Sequence, residues 1–350
     1  MCGPTGESTS MSTQNESGQT SSVNSSIKKR HDSSLPLETL LEPPSIVARY
    51  TCASILIGAF AIWGKLTFVP ENSAPGVGAP IHGFHVPLML TVGYLASLPL
   101  LRLFATNILS KAVDVKLLLR ESMILYNAAQ VALNAWMVYR FLDAVFFRGH
   151  PFVGNFDNVQ SGATFAVWVH YCDKYLEFFD TYFMVLRGKM DQVTFLHVYH
   201  HVSIAWAWWY AMSVFPGGDS YFGALLNSWI HVMMYSYYAL SLLQIRCPWK
   251  KYLTMAQLVQ FLSVLVYTLF SFLYLKNKTT WSQQTAWIVQ TTEMVSLFLL
   301  FLHFYQKAYA KKKSLRKSPE SSDIVCDANT EEQASLSSAS TDDADEQPSD

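Results

Sequence analysis

Three histidines stand at positions i, i+3 and i+4 in the segment 192–201, which reads QVTFLHVYHH. This spacing would place His197, His200 and His201 on one face of a helix. The residues that follow are apolar as far as Phe215, so the face lies at the start of a predicted membrane helix. Ionisable side chains inside such a helix are costly to bury and are treated as functional by default. Adjacent imidazoles can serve as metal ligands or in covalent catalysis.

A metal centre is the first of these uses. Membrane di-iron desaturases and hydroxylases also carry HxxHH, but they need several such boxes to surround their irons. The chain has 10 histidines and no second HxxHH, and His82 and His85 fall in a loop predicted on the opposite side of the membrane. The ligand count therefore argues against a di-iron site, and we expect no bound metal. A mononuclear site formed by the box and Glu177 stays open.

Covalent catalysis is the second use. A neutral imidazole can attack a thioester to give an acyl-imidazole, which divides one difficult step into two easier ones. A neighbouring carboxylate or histidine can fix its tautomer. Cys172 is a competing nucleophile, but burial in apolar surroundings should keep it a thiol. The 5 cysteines show no CxxC spacing, which argues against a zinc site or a disulfide scaffold.

Polar residues at helical spacing recur in the neighbouring apolar segments. Before the histidines, Lys174, Glu177 and Thr181 share a face, which His170 extends by a turn and Asp180 overlaps. Each such run has a simpler explanation when it is considered alone. The lysine and carboxylates could form a structural ion cluster, the tyrosines could lie at the membrane interface, and the glutamines could bridge helices. The segments after the histidines carry, again at helical spacing, Asn227, His231, Tyr235, Tyr238, Gln257 and Gln260.

The composition places these motifs in a membrane protein. Charged residues make up only 15% of the chain and apolar residues 51%, whereas soluble domains average about 25% charged residues. The predicted fold is all-α, a multi-pass transmembrane helix bundle with a seven-helix core and an extra N-terminal span at 50–69, for which an interfacial helix is the alternative. Apolar windows near the roughly 20 residues that a spanning helix needs lie at 50–69, 84–105, 122–147, 162–186, 194–215, 223–245, 256–275 and 286–306.

Loops rich in basic residues alternate along the chain with loops that contain few of them. Loops rich in lysine and arginine face the cytosol in most membrane proteins, so the alternation places both termini and the histidine face on the cytosolic side. The basic loops carry Lys111, Lys116 and Arg120, then Arg187 and Lys189, then Arg246, Lys250 and Lys251.

The two ends of the chain differ from its middle. Residues 1–45 are predicted to be a disordered polar tail, and 46–83 hold the extra apolar segment and a loop. Residues 84–310 form the predicted catalytic transmembrane domain. The segment 311–350 begins with a basic run, expected against anionic lipid headgroups, and ends in a disordered acidic tail. Nothing resembles a nucleic-acid-binding module, and no nucleic acid is expected as a partner.

Four motifs together resemble the signature boxes of the membrane fatty acid elongases. They read KxxExxDT at 174–181, HxxHH at 197–201, HxxMYxYY at 231–238 and TxxQxxQ at 254–260, in order on successive predicted helices. The resemblance covers about residues 84–310. It implies a 3-ketoacyl-CoA synthase of the endoplasmic reticulum, which condenses a fatty acyl-CoA with malonyl-CoA and releases CO2 and CoA without a bound cofactor.

The same resemblance implies roles for individual residues. His200 would accept the acyl group from CoA, His231 would assist decarboxylation or stabilise the enolate, and His197 and His201 would orient His200. A closed apolar tunnel would hold the acyl tail. The residues implied to support the site or bind substrate are Lys174, Glu177, Asp180, Thr181, Gln192, Asn227, Tyr235, Tyr238, Gln257 and Gln260. The residues implied to contact the CoA phosphates are Arg187, Lys189, Lys250 and Lys251.

The residues around the four motifs resemble a narrower group of elongases, defined by the acyl chain they act on. Gln192, five residues before His197, and Tyr199 inside the box are similar to elongases that act on polyunsaturated chains. The stretch WVHYCD at 168–173 looks like that of microalgal elongases of the C20, Δ5 type. The resemblance further implies membrane lipid, a ketoacyl-CoA reductase, a dehydratase and an enoyl reductase as partners, and it leaves a homodimer open.

A multi-span transporter or receptor is the non-enzymatic alternative, beside a metal-dependent desaturase or hydroxylase. A transporter needs polar groups near the bilayer midplane and access from both faces. The sequence gathers its polar groups towards one face and predicts an apolar opposite half, which favours the enzyme.

Overall fold

The computed structural model describes residues 43–68, 83–155, 162–214 and 218–315, with side chains as far as residue 307. The predicted polar tail up to residue 42, the loop that contains His82 and the acidic tail from residue 316 lie outside these ranges.

Within the described ranges the regular structure is helical, and every predicted apolar window falls on a helix. The all-α, multi-pass prediction is therefore confirmed. The helices are α1 (Ile46–Thr67), α2 (His85–Phe104), a π-helical turn (Ala105–Leu109), α3 (Ser110–Ala112), α4 (Val115–Phe147), α5 (Ala163–Leu176), α6 (Phe178–Leu186), α7 (Phe195–Val214), α8 (Tyr221–Leu242), a 3-10 turn (Lys250–Tyr252), α9 (Leu253–Leu275) and α10 (Trp281–Leu315).

Four helical stretches in the described ranges are long and apolar enough to cross a membrane by length and composition alone: Ile46–Thr67, His85–Ala112, Lys250–Leu275 and Trp281–Lys307. The other four predicted spans correspond to α4, to α5 and α6 together, to α7 and to α8. These helices carry most of the predicted site residues. Polar residues that face the interior of a bundle lower the mean hydropathy of a helix without exposing charge to lipid.

Helix α1, the weakest of the predicted spans, packs along α4 and α5. The side chain of Arg49 forms an ion pair with Glu121. Further along α1, the indole of Trp63 donates a 3.0 Å hydrogen bond to the carbonyl of Cys172. These contacts hold both ends of α1 against the bundle.

Helix α5 lies at the centre of the bundle. All of its residues except Tyr175 are buried, and a helix buried on every side must pack against several others. The charged residues near its end, Asp173 and Lys174, are therefore enclosed by protein. The predicted window 162–186 is not one continuous helix, because the chain breaks between α5 and α6 at Glu177.

The end of the bundle remote from the histidines is closed by a hydrogen-bonded group that we call the Asp219 cluster (Gly154, Asn155, Asp219 and Ser271). The Asp219 carboxylate accepts from the amides of Gly154 (3.0 Å) and Asn155 (2.9 Å) and from the hydroxyl of Ser271. The Asn155 side-chain amide also donates to it, at 3.1 Å. The expectation that this half would be apolar is wrong, because a loop and two helix ends meet here through their polar groups.

Candidate active site

A cavity of about 80 Å³ lies between α6, α7, α8 and α9 at one end of the bundle. It gathers residues from all four sequence motifs, which lie far apart in the chain. We call it the histidine cavity. Its polar lining consists of Glu177, Asp180, Thr194, His197, His200, His201, Asn227, His231, Tyr235, Tyr238, Gln257 and Gln260.

A buried charged group forms one wall of this cavity. The Lys174 ammonium forms an ion pair with Glu177 and donates a 2.9 Å hydrogen bond to the side-chain oxygen of Asn227. Both charged side chains are only 1% exposed. The same carboxyl oxygen of Glu177 lies 3.1 Å from His231 Nδ1. Glu177 therefore neutralises Lys174 and lies within ion-pair distance of His231, although His231 Nδ1 makes no hydrogen bond within the described residues.

The three histidines of the HxxHH box pack ring against ring. The centroids of His197 and His201 are 4.5 Å apart, and those of His200 and His201 are 5.5 Å apart. His197 Nε2 lies 2.8 Å from the hydroxyl of Thr181, which lies 2.8 Å from the hydroxyl of Tyr94. The outer ring is thus fixed by hydrogen bonds, and the ring of His200 lies at the free end of the stack.

The tyrosines of α8 support the opposite wall. Tyr235 donates a 2.8 Å hydrogen bond to the carboxylate of Asp180, and the rings of Tyr235 and Tyr238 are 5.9 Å apart. Both tyrosines and Asp180 are buried. The alternative of interfacial tyrosines therefore does not apply to these residues.

Several buried polar atoms in the described site have no hydrogen-bond partner. They include Nδ1 of His200, Nδ1 of His201 and the side-chain oxygens of Gln192 and Gln257. Most buried polar groups in folded proteins are paired, so a concentration of unpaired ones needs an explanation. His200, His201 and Gln257 line the histidine cavity, where a substrate can supply the missing partners.

A second polar layer behind the cavity was not predicted from the sequence. Asn134 donates a 3.4 Å hydrogen bond to the buried carboxylate of Asp173 and a 3.0 Å bond to the carbonyl of Gln130. Tyr126 donates to the carbonyl of Leu176 at 3.3 Å, which supports the end of α5. The signal that could have found this layer is the spacing of Tyr126, Gln130 and Asn134 at i, i+4 and i+8 in an apolar span.

The predicted CoA-binding residues lie at the same end of the bundle. Arg187 ends α6, and Lys189 follows it in the turn before α7. Lys250 Nζ lies 5.2 Å from the ring centroid of Tyr237, and Lys251 Nζ lies 4.8 Å from that of Tyr252. None of these four basic residues lines the cavity.

Two further predicted residues also lie outside the cavity lining. Lys174 is buried behind Glu177, and Gln192 is buried in the turn between α6 and α7.

One group of potential metal ligands occurs in the described ranges. Ligand atoms of Asp173, Glu177 and His231 lie within 4.8 Å of one another. However, the Lys174 ammonium already bonds to Glu177, and a second cation at this position would be repelled. The group takes no residue from the HxxHH box. His85, the first residue of α2, is not a member of this group, and His82 lies outside the described ranges.

A second cavity continues from the first between α7, α8, α9 and α10. The two share His200, Asn227, Gln260 and Phe261, so His200 lies where they meet. The second cavity is lined largely by apolar side chains, including Ile204. The remaining members of its lining are Ala207, Trp208, Gly223, Val264, Gln290, Glu293, Met294 and Leu297.

Cys172, the competing nucleophile, lines neither cavity. Its side chain is 1% exposed and packs in the hydrophobic core with Trp168 and Val169. A thiol in this position has no access to a substrate in either cavity.

Comparison with known proteins gives the relationships of the chain. Residues 79–317 match the family model described as ELO: GNS1/SUR4 family. Very long chain fatty acid elongase 5 of Xenopus tropicalis is 38% identical over 206 residues, which is 57% of this chain and 68% of the relative. Very long chain fatty acid elongase 2 of Rattus norvegicus is 39% identical over 209 residues, 58% of this chain and 74% of the relative.

The rat protein named very long chain fatty acid elongase 7 is 37% identical over 211 residues, 58% of this chain and 74% of the relative. The matched family region contains all four motifs and every helix that lines the two cavities, whereas α1 precedes it. The chain belongs to the ELO (GNS1/SUR4) family and is a membrane fatty acid elongase.

Proposed function

We propose that the protein is a very-long-chain 3-oxoacyl-CoA synthase that works through an acyl-histidine intermediate on His200. The observation that carries this proposal is the position of His200 where a polar cavity meets a largely apolar one. A thioester at this junction would have its CoA portion on the polar side and its acyl chain on the apolar side. The reacting carbonyl would then lie beside the imidazole.

The first half-reaction is acyl transfer. An imidazole nitrogen of His200 attacks the thioester carbon, the C–S bond breaks, and the CoA thiolate leaves with the proton that the imidazole gives up. His201 packs against His200 and His197 packs against His201, so the stack supports His200 in one orientation. The product is a neutral acyl-imidazole, which retains high reactivity towards a carbon nucleophile.

The second half-reaction is condensation. The bond between C2 of malonyl-CoA and its carboxylate breaks, CO2 leaves, and the electron pair stays on C2 as an enolate. The enolate attacks the acyl carbon, the C–N bond to His200 breaks, and the imidazole recovers a proton from solvent. His231 faces the cavity with the Glu177 carboxylate 3.1 Å from its Nδ1, which fits a role in stabilising the enolate.

The charged residues of the site serve mainly to position these groups. Lys174 compensates the buried charge of Glu177, and Asn227 holds the ammonium in place. Thr181 fixes His197, and Asp180 holds Tyr235 on the cavity wall. Asn227, Tyr238, Gln257 and Gln260 line the cavity, where their amides and hydroxyl can bind the thioester and pantetheine groups. We assign Gln192, buried in the nearby turn, to support the entrance.

The surroundings of the cavity suggest how the enzyme sits in the cell. Arg187, Lys189, Lys250 and Lys251 would bind the CoA phosphates at the entrance. Because CoA substrates are cytosolic and basic loops favour the cytosolic side, the entrance would face the cytosol. We propose the endoplasmic reticulum membrane as its location, with a ketoacyl-CoA reductase, a dehydratase and an enoyl reductase acting on the product, and with no bound metal.

The acyl substrate is proposed to be polyunsaturated. Support comes from the residues around the HxxHH box, Gln192 and Tyr199, which are similar to those of elongases that act on polyunsaturated chains. This part of the proposal can fail while the reaction itself stands.

The test is incorporation of labelled malonyl-CoA by membranes that contain the protein, with a panel of saturated and polyunsaturated acyl-CoAs. We expect labelled 3-ketoacyl-CoA, and mass spectrometry of enzyme incubated with acyl-CoA alone should find the acyl group on the peptide that contains His200. An adduct on the Cys172 peptide would reassign the nucleophile. Stoichiometric iron or zinc in purified protein would overturn the metal-free mechanism, and no incorporation from any acyl-CoA would favour a transporter.

A further inference from the structure

Two hydroxyl groups connect α2 and α6 to the first histidine of the HxxHH box. Tyr94 Oη lies 2.8 Å from Thr181 Oγ1, and this oxygen lies 2.8 Å from His197 Nε2. Tyr94 is 1% exposed and Thr181 is fully buried, and neither lines one of the two cavities. His197 does line the histidine cavity. The two hydroxyls therefore lie behind a ring that faces the proposed substrate.

The hydrogens of these groups can be placed by counting donors and acceptors. Each hydroxyl has one hydrogen to donate. If Thr181 donated to Tyr94, the hydrogen of Tyr94 would have no acceptor within the described ranges, since Thr181 is the one partner of that hydroxyl there. A buried O–H group without a partner is costly. Thr181 also lacks, in the described part of the chain, the bond to a backbone carbonyl that Thr268 makes to Val264. Tyr94 therefore donates to Thr181, and Thr181 donates to Nε2 of the ring.

This arrangement fixes the tautomer of His197. A nitrogen that accepts a hydrogen bond carries no hydrogen, so the neutral ring has its hydrogen on Nδ1. The two ring nitrogens point in nearly opposite directions, and Nδ1 makes no hydrogen bond to the described residues. His197 precedes His200 by three residues, or about 4.5 Å along α7, and both rings line the same cavity. A carbonyl group beside His200 is therefore within reach of the Nδ1–H donor.

We propose that His197 is a catalytic hydrogen-bond donor whose Nδ1–H stabilises the thioester oxygen, and that Tyr94 and Thr181 are positioning residues that hold its tautomer. When His200 attacks, the π electrons of the C=O bond move onto the oxygen. They return when the C–S bond breaks, and His197 keeps its hydrogen throughout. A neutral imidazole can polarise a carbonyl in this way, and donors placed in advance at a developing oxyanion contribute strongly to catalysis. The inference rests on the proposed function, because it takes His200 as the nucleophile.

Helix association is the competing explanation, since polar side chains also join membrane helices. The same two helices provide a matched contact. One turn after Tyr94, the hydroxyl of Ser97 donates a 3.2 Å hydrogen bond to the hydroxyl of Tyr182. Neither Ser97 nor Tyr182 lines a cavity or bonds to a histidine in the described ranges. Tyr182→Phe thus removes a bond between α2 and α6 without changing the surroundings of His197.

The decisive experiment compares two replacements of His197 in the full-length enzyme. The amide nitrogen of asparagine is attached to Cγ, as Nδ1 is, so His197→Asn keeps a donor near the proposed position. Glutamine is longer, and His197→Gln can instead keep the bond to Thr181. We measure acyl transfer in a single turnover from acyl-CoA alone, normalised to folded protein. His197→Gln should slow it by about 10²-fold, and His197→Asn should lose about tenfold less. A purely structural role predicts the opposite order, because only glutamine keeps the contact with α6.

A second measurement reports the tautomer directly. Heteronuclear NMR of purified protein labelled at the histidine nitrogens should show the Nδ1–H form for His197, assigned by the signal that disappears in His197→Asn. Tyr94→Phe removes the group that fixes the tautomer, so both forms should appear and acyl transfer should slow by about two- to fivefold. Tyr182→Phe, the matched control, should change neither the spectrum nor the rate. This tyrosine pair decides the matter if the variants of His197 fail to fold.

Three results would overturn the inference: an Nε2–H form in the wild type, acyl transfer in His197→Gln equal to or faster than in His197→Asn, or equal effects of Tyr94→Phe and Tyr182→Phe. In each of these cases the wild type would still incorporate labelled malonyl-CoA and carry the acyl group on His200. Absence of incorporation, or an adduct on another residue, would refute the proposed function instead.

Discussion

The two ends of the bundle use the same chemical groups in opposite ways. In the Asp219 cluster one carboxylate accepts hydrogen bonds from Gly154, Asn155 and Ser271, and these bonds join a loop to α9. In the histidine cavity, buried atoms of His200 and Gln257 have no partner within the described ranges. Helix α8 connects the two ends: Tyr221, its first residue, follows Asp219 by two positions, and His231 lies ten residues further on, or about 15 Å. Polar groups that satisfy one another stabilise a fold, whereas unsatisfied ones that face a cavity are available to a substrate.

Replacement of the proposed nucleophile should produce the largest effect at the histidine cavity. His200→Ala is expected to reduce malonyl-CoA incorporation by at least about 10³-fold and to remove the acyl adduct. Thermal unfolding in detergent should be nearly unchanged, because Nδ1 of His200 has no hydrogen bond to lose. Incorporation within tenfold of wild type would contradict the assignment of His200.

The next prediction concerns Glu177, whose carboxylate lies beside His231. Glu177→Gln keeps the side-chain shape but removes the charge that faces both Lys174 and His231. We expect turnover to fall by about 10²-fold, with the acyl adduct on His200 still formed. Single-turnover assays of each half-reaction test this, and equal loss in both would show that Glu177 acts on the whole cavity.

The matching substitution at the other end should affect stability instead. Asp219→Asn replaces one of the two acceptor oxygens by an NH2 group, so the donors of Gly154, Asn155 and Ser271, which use both oxygens, cannot all keep a partner. We expect the free energy of unfolding to fall by about 2 kcal/mol or more. Activity per folded molecule should remain. Thermal unfolding measures the stability, and activity is normalised to the amount of folded protein. Loss of turnover without loss of stability would contradict a purely structural role for Asp219.

The last prediction is a pH dependence of stability at the Asp219 end. Burial lowers the pKa of His150 to about 4, although the nearby Asp219 carboxylate acts in the opposite direction. The unfolded chain has a histidine pKa near 6.5, so below that pH it binds more protons than the folded state. His150 therefore contributes stability above about pH 6.5 that declines as the pH falls through about 4. His150→Phe should flatten this decline in unfolding measurements between pH 7 and pH 4.5, and an unchanged profile would contradict it.

Much of the fold could be predicted because it depends on local pattern. Apolar runs near the length of a membrane span located the long helices, with α5 and α6 predicted as one span and α3 not predicted. The i, i+3, i+4 spacing placed His197, His200 and His201 on a common face. The break at Glu177 could not be predicted in this way. The residues at the break have the same helical spacing of apolar and polar side chains as their neighbours. The break occurs where the Glu177 side chain meets partners on another helix, including His231.

The supporting residues of the site show the same limit. Asp173, Tyr126 and Asn134 form a second polar layer, yet no spacing rule links residues on two different helices. Tyr94 was missed because a single tyrosine in a predicted span gives no pattern. Its significance depends on Thr181 and His197, which lie on two other helices.

The sequence by itself determined that the chain is a helical membrane protein with an imidazole face at one end, because apolar length and helical period are properties of consecutive residues. Only the tertiary structure decided that Glu177 lies beside His231, that His200 lies where two cavities meet, and that Asp219 closes the far end. The physical reason is that the period of one helix fixes which residues share a face, whereas the rotation and packing of all the helices fix which faces meet.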